Sequence, residues 1–253
     1  MPEITVICGC FGSGKTEFSM SLAREKAAFP GETALVDLDT VNPMFNCEHH
    51  REEIQKNGVH LISTPIEKRC DCPSLSPEIY AAFTGRYEHV VFDLGGDKVG
   101  STVLGSFYDR FKTTGAKVRT YFIVNTRRPM SSDVEGVISA LDRVRRAARL
   151  PVNGLINNTN LGSESTWEHL AEGEHILSEV SARIGIPVVC YVGTKAVLDA
   201  APRGMLHGEP FEIKPINRPV IADYRLGRGI VHRSGEKRQS INAKGDRTEQ
   251  WDA

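Results

Sequence analysis

The sequence predicts an α/β fold, a doubly wound and mostly parallel sheet of about seven strands with helices on both faces. Three observations carry this. Short apolar runs alternate along the chain with longer amphipathic stretches. The runs are near-continuous in Val, Ile and Leu instead of alternating with polar residues, which is the pattern of strands buried on both faces. Most of them end in turn or loop residues, as strands feeding crossover helices do. The chain has 253 residues, enough for one such domain. Hydrophobic residues make up 40% and charged residues 25%, which excludes collagen-like, coiled-coil and wholly disordered chains.

The expected strands are the runs 4–8, 34–38, 59–62, 89–94, 118–124, 152–156 and 188–192. Helical patterns fill the intervals at 15–28, 46–57, 77–83, 101–111, 131–150 and 164–184. Strand–helix–strand repetition of this kind requires right-handed crossovers. From about Arg233 the chain has few apolar residues and no periodicity. The expected organisation is therefore one folded domain over 1–224 and a flexible tail over 225–253.

Lys and Arg number 31 against 32 Asp and Glu, a formal charge of −1, so nucleic acid is not expected as the main partner. Arg143, Arg145, Arg146 and Arg149 share one predicted helix and read as a solvated face. No apolar run is long enough to span a bilayer, and the tail, with Gly235 and Gly245, has no apolar face to lay on one. The start of the chain lacks the basic and apolar regions of a signal peptide, which predicts a cytoplasmic protein with six reduced cysteines.

Between the first strand and the first helix lies Gly9-Cys10-Phe11-Gly12-Ser13-Gly14-Lys15-Thr16, which fits G-x-x-x-x-G-K-[ST] at every fixed position. Glycines let backbone N–H groups close around phosphate oxygens, and the helix N-terminus adds its dipole and free donors. Lys15 is placed to neutralise β- and γ-phosphates, and the Thr16 hydroxyl to ligate magnesium. The expected nucleotide-binding set is Gly9, Cys10, Phe11, Gly12, Ser13, Gly14, Lys15, Thr16 and Glu17.

Two acidic motifs end other strands, Val36-Asp37-Leu38-Asp39-Thr40-Val41-Asn42-Pro43 and Asp93-Leu94-Gly95-Gly96-Asp97. In a parallel sheet these ends share the edge with the phosphate loop, where ligands bind. There one carboxylate can meet a metal through water, a second can orient the attacking water, and a glycine N–H can reach the γ-phosphate.

With these motifs in this order, the chain resembles the SIMIBI-class P-loop proteins, specifically the Min/Par-type ATPases, over roughly residues 3–210. The resemblance includes "DLDTVNP", "DLGG", "IVNTRRPMSS", "LINNTN" and the segment "YVGTKAVLDAAPRGMLHGEP". It implies a magnesium- and ATP-dependent switch ATPase that forms a nucleotide-dependent homodimer and acts on a client protein or metallocluster enzyme. It implies that Lys15 and Asp39 are catalytic, with Asp39 orienting the hydrolytic water. Thr16, Asp37 and Asp93 then surround Mg2+, and Gly96 senses the γ-phosphate. One departure is plain: the signature lysine of Min/Par ATPases is replaced by Cys10. Arg127 and Arg128 are candidate substitutes by position.

Guanine-specific relatives end an N-K-x-D motif in Asp, whereas this chain has Asn157-Asn158-Thr159-Asn160. Amides without a carboxylate favour adenine, read by Asn157 and Asn158. Cys70 and Cys72 form a C-x-C that supplies two thiolates, too few for a structural zinc within one chain. Cys47, His49 and His50, just after the first acidic motif, read as a solvated helix face. The rival reading is an ATP-dependent ligase or kinase of the dethiobiotin-synthetase type, which shares the fold and also lacks the signature lysine. A GTPase metallochaperone is the third.

Overall fold

The computed structural model describes residues 1–39, 47–63, 76–95 and 98–214, with the backbone of 239–241 and 247–249. The chain divides into two compact units, Met1–Pro215 and Ile216–Ala253. In the second, the described residues are the strands Gln239–Ile241 and Arg247–Glu249, which pair antiparallel. The expected boundary at 224/225 and most of the expected tail lie outside the described residues.

The first unit is built on β1 (Glu3–Gly9), β2 (Thr33–Asp37), β3 (Val59–Ile62), β4 (His89–Asp93), β5 (Lys117–Val124), β6 (Gly154–Asn157), β7 (Val188–Gly193) and β8 (Glu209–Glu212). They form one sheet in the order β3-β2-β4-β1-β5-β6-β7-β8. Every pairing in it is parallel. The helices are α1 (Lys15–Lys26), α2 (Arg51–Lys56), α3 (Lys98–Ser106), α4 (Tyr108–Thr113), α5 (Val134–Ala148), α6 (Trp167–Ile184) and α7 (Lys195–Ala200). This is the doubly wound α/β sheet expected from the sequence, with one strand more. The added strand, β8, reads Glu-Pro-Phe-Glu. It lies at the sheet edge, where proline is tolerated and side chains stay wet, so it lacks the apolar run that marks the others.

Smaller differences have local causes. The helix expected over 101–111 is two, α3 and α4, because Phe107 leaves the helical register with φ −94° and ψ 7°. The segment 77–83 is a 3-10 helix, with Pro77 at its first position and Ser76 capping Glu78 N–H. α5 starts where the Asp133 carboxylate accepts the Gly136 N–H at 2.8 Å, satisfying one of the helix's free donors.

The main core lies on the face where Val6 and Cys8 of β1, Val36 of β2, Phe92 of β4 and Phe122 of β5 meet Val137 and Leu141 of α5 and Leu177 of α6. Phe83, Phe92 and Phe111 interlock there with ring centroids 5.0–5.6 Å apart. Each such ring contributes about 1.5–3 kcal/mol by burial. α1 covers the opposite face, and its Phe18 packs on Phe211 of β8 at 4.8 Å.

Register positions the site. β4 lies between β1 and β2, which sets Asp93 beside Ile7 on one side and Asp37 on the other. The pairing continues past the strand ends, since Leu38 N–H donates to Asp93 O at 2.9 Å and Leu94 N–H to Ile7 O at 3.2 Å. Both acidic motifs and the phosphate loop therefore emerge from one edge of three adjacent strands.

Candidate functional site: a phosphate loop beside buried acids

The loop from Gly9 to Thr16 is shaped by two close approaches. A Cβ on Gly9 would stand 2.3 Å from the Ile123 carbonyl oxygen of β5. Gly14, at φ +86°, caps α1 in the left-handed region, and a Cβ there would stand 2.2 Å from Asn158 Nδ2. Only glycine fits such a conformation without strain. Asn158, 3% exposed, donates from Nδ2 to the Ser13 carbonyl at 2.7 Å and so ties the loop after β6 to the phosphate loop. Arg128, in the loop after β5, donates from Nε to the Gly12 carbonyl at 3.0 Å. Phe11 projects outward, 67% exposed.

Lys15 is 6% exposed, and its Nζ donates to the Cys10 carbonyl at 2.9 Å. Burial pulls its pKa down, and the charges of Asp93 and Asp39 push back. Asp93 has no exposed surface. The Ser19 hydroxyl donates to its Oδ1 at 3.1 Å, and the Thr16 hydroxyl is a second partner. Burial raises the Asp93 pKa to about 6 against the opposing pull of the Thr16 bond and Lys15.

Asp37 holds backbone with both oxygens. Oδ1 accepts the Asp39 N–H at 2.9 Å, and Oδ2 the Cys47 N–H at 3.2 Å. Asp39 is also buried and lies within electrostatic reach of Lys15 and Asp93. The structure thus brings Lys15, Thr16, Asp37, Asp39 and Asp93 to one place. Glu17 follows on the first turn of α1.

Three sequence-based expectations change. Cys47 is not on a solvated face, being wholly buried, with its thiol directed at Asp93 Oδ2 at 3.9 Å. The Asp37 bond to its N–H draws it inward. Burial, followed by the charges of Asp37, Asp93 and Asp39, raises its pKa well above the ordinary thiol value. Asn157 is turned away from the loop: Nδ2 donates to Leu170 O at 2.9 Å, and Oδ1 accepts the Thr159 N–H at 3.2 Å. Arg127 and Arg128 separate, since Arg127 pairs with Glu172 and only Arg128 reaches the phosphate loop. Gly96, Thr40 to Pro43, Cys70 and Cys72 lie outside the described residues.

Ser19 and Cys47 are the residues the sequence reading missed. Ser19 lies one helical turn beyond Lys15 and three residues beyond Thr16, so helix periodicity alone places it on their face. Cys47 carried no comparable signal. Among the described residues, no helix is long and apolar enough to cross a membrane. Arg145 and Arg146 of α5 and Arg149, its C-cap, line a surface depression of about 490 Å³ with Asp142, Leu150 and Pro151.

The donor set suits a magnesium nucleotide. Ser13 Oγ and Asn158 Oδ1, both buried against the loop, have no hydrogen-bond partner among the described residues. Thr16, Asp37 and Asp93 supply the oxygen donors that a hard cation takes.

No protein-family model matches this chain, and no curated protein matches it in sequence. Solved structures do match in fold. FtsY from Mycoplasma mycoides is 18% identical with a TM-score of 0.51, over 74% of this chain and 59% of that one. The cell division protein FtsY from Thermotoga maritima is 16% identical with a TM-score of 0.51, over 81% and 66%. The signal recognition particle 54 kDa protein from Aeropyrum pernix K1, in complex with GDP, is 16% identical with a TM-score of 0.50, over 79% and 43%. The match thus spans about three-fifths to two-thirds of the two FtsY chains. At this identity the likeness establishes architecture: the chain has the α/β fold of a P-loop NTPase.

Proposed function

We propose that the chain is a nucleotide-dependent switch of the SIMIBI class that binds and slowly hydrolyses Mg-ATP. The observation that carries this is the meeting of Lys15 and Thr16 of the phosphate loop with Asp37, Asp39 and Asp93 at adjacent strand ends. On nucleotide binding, the Lys15 ammonium turns from the Cys10 carbonyl to the phosphates. The loop N–H groups and the start of α1 hold the β-phosphate. Asp39 orients the attacking water toward the γ-phosphorus and holds its proton. Thr16, Asp37 and Asp93 would hold Mg2+, which would neutralise the charge of the triphosphate when bound.

A switch needs a surface to act on. Phe11, Met130 and Leu161 are 67%, 55% and 45% exposed in the loops that follow β1, β5 and β6, three neighbouring strands. Exposed apolar side chains grouped beside a ligand edge support docking there, in this reading by a second copy of the chain and then by a client protein. Arg128, already at the phosphate loop, is the residue proposed to do the work of the missing signature lysine.

ATP is proposed as the nucleotide because the segment Asn157-Asn158-Thr159-Asn160 holds no carboxylate for the guanine N1–H and N2–H pair. GTP is the second reading, favoured by the GDP held in the similar fold of the 54 kDa protein. Calorimetry tests the assignment. Mg-ATP should bind the wild type, and Lys15→Ala should abolish it without lowering the melting temperature. Unchanged ATP affinity in that variant overturns the reading.

A further inference from the structure

We propose that Asp37, Cys47 and Asp93 together form a binding site for a thiophilic divalent cation of the zinc class, filled in the absence of nucleotide. The three donor atoms come from separate segments: the end of β2, the 3-10 turn Cys47–His50, and the end of β4. They lie within 4.8 Å of one another, and all three residues are buried. The Cys47 sulfur is already 3.9 Å from Asp93 Oδ2. Tetrahedral zinc, with bonds of about 2.0–2.3 Å, sets its donors about 3.3–3.7 Å apart. The donors therefore need to close by no more than about 1.5 Å to reach that spacing.

The backbone is arranged for this. Asp37 grips the Cys47 N–H, so the Cys47 side chain leaves its Cα toward the two carboxylates. The Cys47 sulfur faces Asp93 Oδ2 at 3.9 Å, so a cation entering that space meets thiol and carboxylate together. The cation then displaces the thiol proton: the S–H bond breaks, the proton passes to water, and a metal–sulfur bond forms. Three protein donors leave a fourth position for water, the arrangement of open zinc sites.

Donor chemistry decides the ion. A buried thiolate beside two carboxylates favours zinc, cobalt or cadmium over magnesium, which takes oxygen ligands in octahedral geometry. Asp37 and Asp93 are the carboxylates proposed above for Mg2+, so the two occupancies exclude one another. The inference does not need the nucleotide reading, because the site is complete without it.

The test is a Co2+ titration of the nucleotide-free full chain, followed by thiolate-to-cobalt charge-transfer absorption in the near ultraviolet. The expected result is one equivalent bound with that band. Cys47→Ser should abolish the band and weaken Co2+ binding at least about tenfold. A Cys70→Ser/Cys72→Ser variant should keep both. X-ray absorption of the wild type loaded with one equivalent of Zn2+ should show one sulfur neighbour, a readout that stands even if Cys47→Ser fails to fold. No band in the wild type, a band that survives Cys47→Ser, or two or more sulfurs around zinc would each overturn the site. Mg-ATP binding to Lys15→Ala and wild type, measured separately, reports on the nucleotide reading and not on this one.

Discussion

Replacing Gly14 with alanine tests the packing that shapes the phosphate loop. At φ +86° an L-residue carries about 1–2 kcal/mol of backbone strain. The new Cβ would also stand 2.2 Å from Asn158 Nδ2, so the asparagine must leave the Ser13 carbonyl. Losing that buried hydrogen bond costs about 1 kcal/mol more, for a total of about 2–3 kcal/mol. In a unit of this size such a loss lowers Tm by about 5–10 °C. Asn158→Ala alone should cost about 1–2 kcal/mol, because the Ser13 carbonyl is left without its donor. The double variant loses the same bond only once and has no clash, so it should be more stable than the two single costs predict, by at least about 1 kcal/mol. Urea denaturation of the four proteins measures this. Additivity within about 0.5 kcal/mol would refute the contact between the two loops.

Asp39→Ala should leave ATP binding nearly intact and cut hydrolysis roughly a hundredfold or more, whereas a residue that only caps a turn would change stability by about 1 kcal/mol and leave turnover alone. The same variant should accumulate as an ATP-dependent dimer by light scattering, and a strictly monomeric ATP-bound form would favour the ligase or kinase reading. Unlabelled GTP should displace labelled ATP poorly, and equal displacement would remove the adenine assignment. Asp93 predicts a pH signature. Its folded-state pKa, about 6, lies above the ordinary 3.8, so between these values the native state holds the extra proton and this group's contribution to stability falls as pH rises. Relative to Asp93→Asn, the wild type should lose up to about 3 kcal/mol across that window, and a pH-independent difference would contradict the burial of a charged Asp93.

The sheet was legible because its strands are buried on both faces and so carry unbroken apolar runs. β8 was not, since an edge strand of Glu-Pro-Phe-Glu needs no such run. The turn between β1 and α1 could be read from its glycines, because they answer to geometry: Gly9 and Gly14 have neighbours where a Cβ would go. The acids could be placed at one edge from strand order alone. What each side chain touches could not. Asn157 and Asn158 are adjacent in sequence and alike in chemistry, yet one faces α6 and the other the phosphate loop, because neighbouring residues leaving a strand point to opposite sides. Cys47 was misplaced for a related reason. Its burial is set by a long-range bond from Asp37, ten positions earlier, and no local pattern encodes that.

The double grip of Asp37 on the N–H groups of Asp39 and Cys47 makes one carboxylate a pin between the end of β2 and the 3-10 turn Cys47–His50. An anionic pin holds amides more tightly than a neutral side chain would. Removing it strands two backbone donors at once, at about 1–3 kcal/mol each. The acids and the turn are therefore tuned as one part, and a change that repositions either is transmitted to the other.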